Sequence, residues 1–177
     1  MEEIKRINRE LKCKGAIVDF YSDTMLLPNG HTAQWDYIAH KGAAAVVPVT
    51  DDGKILMVRQ YRNALERYTL EIPAGSLNYA GEPKIDCAFR ELEEETGYRA
   101  ETLDHLLDIN TTVAFCNELI GVYVARKLIP SRQHLDEDEF LNVQAYDLDE
   151  LLKMIDEKKI TDGKTVAALL AYKLKYA

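Results

Sequence analysis

The segment spanning residues 75–98, GSLNYAGEPKIDCAFRELEEETGY, constrains the structure of this chain more than any other. It places Glu91, Glu94 and Glu95 on one turn of a predicted helix, after a loop rich in glycine and proline. Like charges three and four residues apart repel, so a stable helix tolerates these carboxylates when they are solvated or when a cation lies between them. Hard divalent cations such as Mg2+ take oxygen ligands of this kind. The segment predicts either a metal site with an open side for phosphate or a solvated acidic helix end.

The flanks of this segment indicate where the helix begins and ends. Pro83 suits the first helical position, and Gly97 suits the left-handed cap beyond the last turn. Apolar residues at helical spacing form one stripe, made of Ile85, Ala88, Phe89 and Leu92. The three glutamates lie on an arc about 120° from that stripe, at about 100° per residue. We therefore expect one face of the helix to pack on the core while the neighbouring face looks into a cavity.

The composition indicates one globular domain with a sizeable core. The chain has 177 residues, of which 47% are hydrophobic and 29% are charged. The formal net charge of -8 argues against a nonspecific surface for nucleic acid or for an anionic membrane. No apolar run approaches the roughly 18 residues of a membrane span. The three cysteines are odd in number and lack metal-ligand spacing, which predicts reduced thiols in the cytoplasm: Cys13, Cys87 and Cys116.

The N-terminal part of the chain predicts an antiparallel β-meander. Residues 13–21 alternate as a strand, Asn29-Gly30 is a strong hairpin signal, and residues 31–40 supply the return strand. We assign residues 1–41 to this layer and residues 42–177 to the main domain.

The main domain mixes strands and helices without regular alternation. Strands are predicted over residues 43–49, 54–61, 68–72, 103–107, 118–125 and 141–148. Besides the helix that starts near Pro83, helices are predicted over residues 149–157 and 161–174. This order predicts an α+β fold, with a mixed β-sheet sandwiched between helices.

Several fixed positions around the three glutamates resemble the Nudix box. The matching positions are Glu82, Arg90-Glu91-Leu92, Glu94-Glu95 and Gly97-Tyr98. A pattern with so many fixed positions rarely arises by chance, so the chain resembles the Nudix hydrolase family. One departure is that six residues rather than five separate Gly75 from Glu82. A loop absorbs one extra residue at little cost, although the insertion can shift a nearby backbone carbonyl.

The resemblance extends over most of the chain. Residues 58–77, the N-terminal meander and the closing sequence DGKTVAALLAY look like Nudix enzymes that hydrolyse ADP-ribose and related nucleoside diphosphate sugars. The resemblance implies a requirement for Mg2+ or Mn2+, the products AMP and ribose 5-phosphate, and a homodimer formed through the N-terminal β-layers.

Two alternatives stay open at this point. The segment Thr112-Val113-Ala114-Phe115 lacks the proline that ADP-ribose hydrolases usually carry there, so another substrate such as GDP-mannose is possible. A non-catalytic Nudix-fold module for ligand binding is the second alternative. A sensor has no need of three mutually repelling carboxylates, which favours the enzyme.

The resemblance also implies roles for individual residues of the box. The implied metal ligands are Glu91, Glu95 and Glu94, with a backbone carbonyl of Ala74 or Gly75. Arg90 would orient the carboxylates through Glu82 or Glu94. The general base would come from the acidic loop at residues 136–139, with Glu137 as first choice and Glu139 as second; a solvated charge run is the alternative.

Five residues outside the box are candidate substrate contacts. Arg59 looks like the arginine that reaches the diphosphate, while Arg62 either helps it or makes only surface ion pairs. Glu71 is either a ligand or part of a buried ion pair, and Glu118 matches a glutamate near the ribose. Trp35 either stacks on a nucleobase or packs in a dimer interface.

Overall fold

The structure is a computed structural model that describes residues 3–135 and 140–176. Its β-strands are β1 (Lys5–Lys14), β2 (Asp19–Leu26), β3 (Thr32–Ala39), β4 (Ala43–Pro48), β5 (Ile55–Arg62), β6 (Arg67–Glu71), β7 (Ala74–Ser76), β8 (Tyr98–Arg99), β9 (Leu103–Asn110), β10 (Leu119–Ala125), β11 (Ile129–Pro130) and β12 (Leu141–Tyr146). Its α-helices are α1 (Lys84–Thr96), α2 (Leu148–Asp156) and α3 (Gly163–Tyr176). Within the described ranges, none of the helices is long and apolar enough to cross a membrane.

Strand β4 lies at the centre of the core and is buried along its whole length. It belongs to a mixed sheet of order β7-β4-β10-β9, in which β10 runs parallel to β4. Successive side chains of a strand point to opposite faces. Ala43, Ala45 and Val47 therefore pack towards α2 and α3, whereas Ala44 and Val46 pack against α1. Helices on both faces of a mixed sheet confirm the predicted α+β architecture.

A second sheet, of order β12-β5-β6, is joined to the first by the sequence LEIPAG. Glu71 ends β6, and the carbonyl of Pro73 accepts a hydrogen bond from the N–H of Val46 at 2.9 Å. Ala74 then begins β7 and pairs with Ala45 in the first sheet. This crossing between sheets carries Ala74 and Gly75 to the side of α1, where the box glutamates lie.

Helix α1 follows the predicted boundaries with one small correction. Pro83 is the residue before the first helical residue, because its ψ of 123° is extended rather than helical. Gly97 adopts the predicted left-handed conformation, with φ of 71°, and its N–H donates to the carbonyl of Glu93 at 2.9 Å. Cys87, Ala88 and Leu92 form the buried face of the helix.

The N-terminal meander is a separate sheet of three strands, in the order β1-β2-β3. The hairpin at Asn29-Gly30 is confirmed, but the expected single strand over residues 13–21 is wrong. Lys14 ends β1, and a turn closed by the hydrogen bond from the Gly15 N–H to the Val18 carbonyl leads into β2. Strand β1, with the sequence KRINRELKCK, is exposed at nearly every position. Without a buried face it lacks the apolar alternation by which a strand is recognised in a sequence.

Candidate active site

Two adjacent cavities meet at strand β7. The first has a volume of about 520 Å³ and the second about 460 Å³. Both are lined by Arg62, Ala74, Gly75 and Ser76. The first cavity is also lined by Thr111, Glu118, Asp162 and Lys164. The second cavity is also lined by His40, Lys41, Arg90, Glu91 and Glu94. A ligand with two halves joined by a charged link could occupy both cavities, with its link beside Arg62.

Helix α1 and strand β7 hold two of the box glutamates against backbone. Glu91 is 7% exposed and Glu95 is 1% exposed, although both are carboxylates. The N–H of Ala74 donates to Oε2 of Glu95 at 3.0 Å. A Cβ atom placed on Gly75 would lie 2.0 Å from Oε1 of Glu91. The glycine is therefore required for Glu91 to approach the backbone this closely.

Arg90 lies between two of the carboxylates. Its Nη1 donates to Oε1 of Glu91 at 2.6 Å and to Oε2 of Glu94 at 2.8 Å. Burial opposes the charge of Arg90, but the nearby charge of Glu91 and the hydrogen bond to Glu94 outweigh it and raise its pKa above the usual value. The predicted contact through Glu94 is present. Glu82 instead accepts the backbone N–H of Asn78 at 2.6 Å, so it fixes the loop before the helix.

The box glutamates suit a hard divalent cation by the chemistry of their donors. All three side chains offer carboxylate oxygens, and Ala74 and Gly75 add backbone carbonyls beside them. Among the described residues, no three His, Cys, Asp or Glu side chains converge as a metal cluster in this arrangement. Arg90 occupies the space between Glu91 and Glu94. Metal binding would therefore require Arg90 to give up one of its two carboxylates.

Glu71 is the buried centre of an ion-pair cluster. Arg62 Nε and Nη2 donate to its two oxygens at 2.7 Å and 2.6 Å, and Thr69 Oγ1 donates at 2.6 Å. Lys164 Nζ also donates to Glu71, as well as to Asp162 at 2.9 Å. Burial opposes ionisation of Glu71, but the Arg62 hydrogen bonds and the Lys164 charge outweigh it and lower its pKa to about 2. Of the two predicted readings of Glu71, the buried ion pair is the one present.

The two candidate arginines of β5 differ in position. Arg62 lines both cavities, whereas Arg59 is exposed and its guanidinium lies 4.0 Å from the centre of the Tyr68 ring. The expectation that Arg59 is the deeper arginine is wrong, because β5 turns that side chain to the outer face. Trp35 is 46% exposed on β3, and it lines neither cavity among the described residues.

Glu118 lies in the first cavity beside a histidine to which the sequence assigns no role. Its Oε2 accepts from Thr111 Oγ1 at 2.7 Å, and its Oε1 is 3.4 Å from Nδ1 of His40. The N–H of Gly42 donates to the same His40 nitrogen at 3.0 Å. His40 therefore connects the end of the meander to the cavity wall. Its position depends on pairing between distant segments, which spacing along the chain does not indicate.

The two candidate general bases, Glu137 and Glu139, lie outside the described residues. Asp162 and Lys164 were not among the predicted site residues, although they line the first cavity. The available signal was their place in the closing sequence DGKTVAALLAY, which is part of the family resemblance.

Residues 39–169 match the NUDIX domain, and the chain therefore belongs to the Nudix family. It is 41% identical to an ADP-ribose pyrophosphatase of Bacillus subtilis (strain 168), with 99% of this chain and 95% of that protein covered. It is 42% identical, with the same coverage, to a methanol dehydrogenase activator of Bacillus methanolicus. A crystal structure of an ADP compounds hydrolase superposes with a TM-score of 0.86 over 98% of this chain and 94% of that one; at 22% identity this shows the fold.

Proposed function

We propose that this protein is a divalent-metal-dependent pyrophosphohydrolase of nucleoside diphosphate sugars, with ADP-ribose as its substrate. Water would add to one phosphorus, the bridging P–O bond would break, and AMP and ribose 5-phosphate would leave. The observation that carries the proposal is the pair of buried carboxylates, Glu91 and Glu95, beside Gly75 where the two cavities meet. The similarity to an ADP-ribose pyrophosphatase supports this choice of substrate.

Mg2+ or Mn2+ would be held by Glu91, Glu95 and Glu94, with a carbonyl of Ala74 or Gly75. When bound, such a cation neutralises charge on the diphosphate and lowers the pKa of a bound water. The role of Arg90 is then to hold Glu94 in place and to keep the carboxylates from repelling one another.

The chain supplies the remaining groups from several elements. Arg62 offers its unused N–H groups to the diphosphate, since a guanidinium binds phosphate oxygens in a bidentate fashion. Glu118 is placed to accept hydrogen bonds from ribose hydroxyl groups in the first cavity. Glu137, or Glu139 in its place, activates the attacking water. Changing the true base to Gln should lower kcat on the order of a hundredfold, while the other variant stays close to wild type.

Two alternatives are distinguished by one experiment. GDP-mannose is the alternative substrate, because the family proline is absent near Val113. The name of the Bacillus methanolicus relative raises the alternative of a partner-binding module without catalysis. Burial of Glu91 and Glu95 favours the enzyme, because burying carboxylates is costly unless charged partners or a metal compensate for it.

The test is a substrate panel with products identified by chromatography, using purified protein with Mg2+ or Mn2+. ADP-ribose, GDP-mannose and a nucleoside triphosphate cover the substrate classes. Production of AMP and ribose 5-phosphate from ADP-ribose at the highest kcat/KM supports the proposal. A higher value for GDP-mannose would overturn the substrate, and no turnover of any compound would overturn the enzyme.

We also propose that the protein is a cytoplasmic homodimer that pairs through the meander. Exposed apolar side chains are concentrated there: Ile4, Ile7, Leu11, Ile17, Phe20 and Trp35. A three-stranded sheet with an unpaired edge and an exposed apolar surface gains stability by pairing with a second copy. Trp35 would then lie in or near that interface.

A further inference from the structure

The ion-pair cluster around Glu71 contains a cation whose purpose is not explained by charge balance alone. One carboxylate, 2% exposed, accepts hydrogen bonds from both Arg62 and Lys164. Lys164 belongs to α3, which lies 93 residues further along the chain than Glu71. Its side chain is 10% exposed and lines the first cavity, so it is both nearly buried and next to the proposed substrate.

Arg62 presents two different edges to its surroundings. Nε and Nη2 form the edge that is bound to Glu71. Within the described part of the chain, no hydrogen bond is made by Nη1, and the side chain is 39% exposed towards the cavities. The orientation of the outer edge is therefore determined by the position of the Glu71 carboxylate.

The position of that carboxylate in turn depends on Lys164. Lys164 is itself fixed by Asp162, whose Oδ2 also accepts from the N–H and hydroxyl of Thr165 at 3.0 Å and 2.6 Å. The Thr165 hydroxyl donates nothing to Glu71 but accepts the N–H of Ile72 at 3.0 Å, which anchors α3 to the LEIPAG segment. The start of α3 is thus a rigid support for one side of Glu71.

We propose that Lys164 is a positioning residue for the hydrolase: by holding Glu71, it makes Arg62 present its outer edge to the diphosphate of the substrate. This proposal rests on the proposed function. Without Lys164, the buried Glu71 charge draws on Arg62 alone, so the guanidinium turns further towards Glu71 and away from the cavity.

The test is a double-mutant cycle of Lys164→Met and Glu71→Gln. KM and kcat are measured on the best substrate of the panel. Kd is measured by calorimetry for the α,β-methylene analogue of ADP-ribose, which cannot be hydrolysed at the bridging position. Lys173→Met is the matched control, since Lys173 lies on the same helix and pairs with Asp149 away from the cavities. Thermal unfolding reports whether each variant is folded.

We expect Lys164→Met to raise KM and Kd about tenfold, the effect of one weakened charged hydrogen bond, while kcat changes less than threefold. In the Glu71→Gln background the same change should alter both constants less than twofold, because no carboxylate remains to be held. Lys164→Arg should stay within threefold of wild type, and Lys173→Met should not differ from it.

Two results would overturn the proposal. A tenfold effect of Lys164→Met in both backgrounds would mean that Lys164 contacts the substrate directly. A lower melting temperature with unchanged KM and Kd would mean that its role is only structural. If Lys164→Met fails to fold, the comparison of Glu71→Gln with Glu71→Gln/Lys164→Met still separates direct contact from positioning. Absence of turnover in the wild type would instead count against the proposed function.

Discussion

At the scale of single residues, the site is organised by carboxylates that are buried yet ionised. Glu71, Glu91 and Glu95 are all less than a tenth exposed. Each lies beside a specific donor, which is Arg62 for Glu71, Arg90 for Glu91 and a backbone N–H for Glu95. Removing such a donor leaves a buried charge uncompensated, so these positions tolerate little change.

Arg62 and Arg59 provide a direct comparison at this scale. We expect Arg62→Ala to raise KM at least tenfold, because it removes the guanidinium where the cavities meet. Arg59→Ala removes only a contact with the Tyr68 ring on the outer face and should leave KM within threefold of wild type. Steady-state kinetics on the best substrate check both values. A larger increase for Arg59→Ala would restore the role that the sequence suggests for it.

The depressed pKa of Glu71 predicts how stability depends on pH. Its pKa is about 2 in the folded state against an ordinary value of 4.5, so the unfolded chain takes up the proton at higher pH. The contribution of Glu71 to stability is complete above about pH 4.5 and is lost as the pH falls through about 2, amounting to about 3 kcal/mol. Urea unfolding between pH 5 and pH 2 measures this loss. Glu71→Gln should show a smaller decrease over the same range, and an equal decrease would contradict the assignment.

At the scale of elements, the sequence predicts best those structures whose signals are local. Helix α1 is predicted nearly to the residue, because its apolar stripe and the glycine after it lie within fifteen positions of one another. Strand β1 is missed because it has no buried face. The Lys164–Glu71 contact is missed because it joins segments 93 residues apart. The sequence thus identifies the acidic half of the site, while the cationic half depends on tertiary packing.

The close approach of β7 to α1 gives a prediction at this scale. Gly75→Ala should leave the protein folded, because the added Cβ collides with the flexible end of Glu91 rather than with backbone. The displaced carboxylate should lower kcat at least a hundredfold if Glu91 binds the metal. Gly53→Ala is the control: with φ of 82° and no atom within 4 Å of the added Cβ, it should cost about 1 kcal/mol of stability and no activity. Normal turnover by Gly75→Ala would refute this role of the glycine.

At the scale of the whole molecule, the meander lies apart from the cavities and carries exposed apolar residues. Its sheet joins the main domain through Ile38, whose N–H donates to the carbonyl of Phe115 at 2.7 Å. A layer with so little contact to its own domain is suited to pairing with another copy.

Sedimentation velocity at micromolar concentration tests this pairing, and we expect twice the mass of the monomer. Ile7→Asp places a charge on a side chain that is 57% exposed on β1 and should shift the protein to monomer. Leu174→Asp alters a side chain that is 88% exposed on α3 and should leave the dimer intact. A monomeric wild type would refute the dimer, and a dimeric Ile7→Asp variant would refute the proposed interface.

The most direct test of the enzyme and its metal site compares wild type with Glu95→Gln on ADP-ribose in saturating Mg2+. Chromatography of the reaction should show AMP and ribose 5-phosphate in equal amounts for the wild type. Glu95→Gln keeps the size of the side chain and its place beside the Ala74 N–H, but it removes the charge that would bind the metal. We therefore predict almost no turnover by the variant at an unchanged melting temperature. Undiminished turnover by Glu95→Gln, or no cleavage of ADP-ribose by the wild type, would contradict the account.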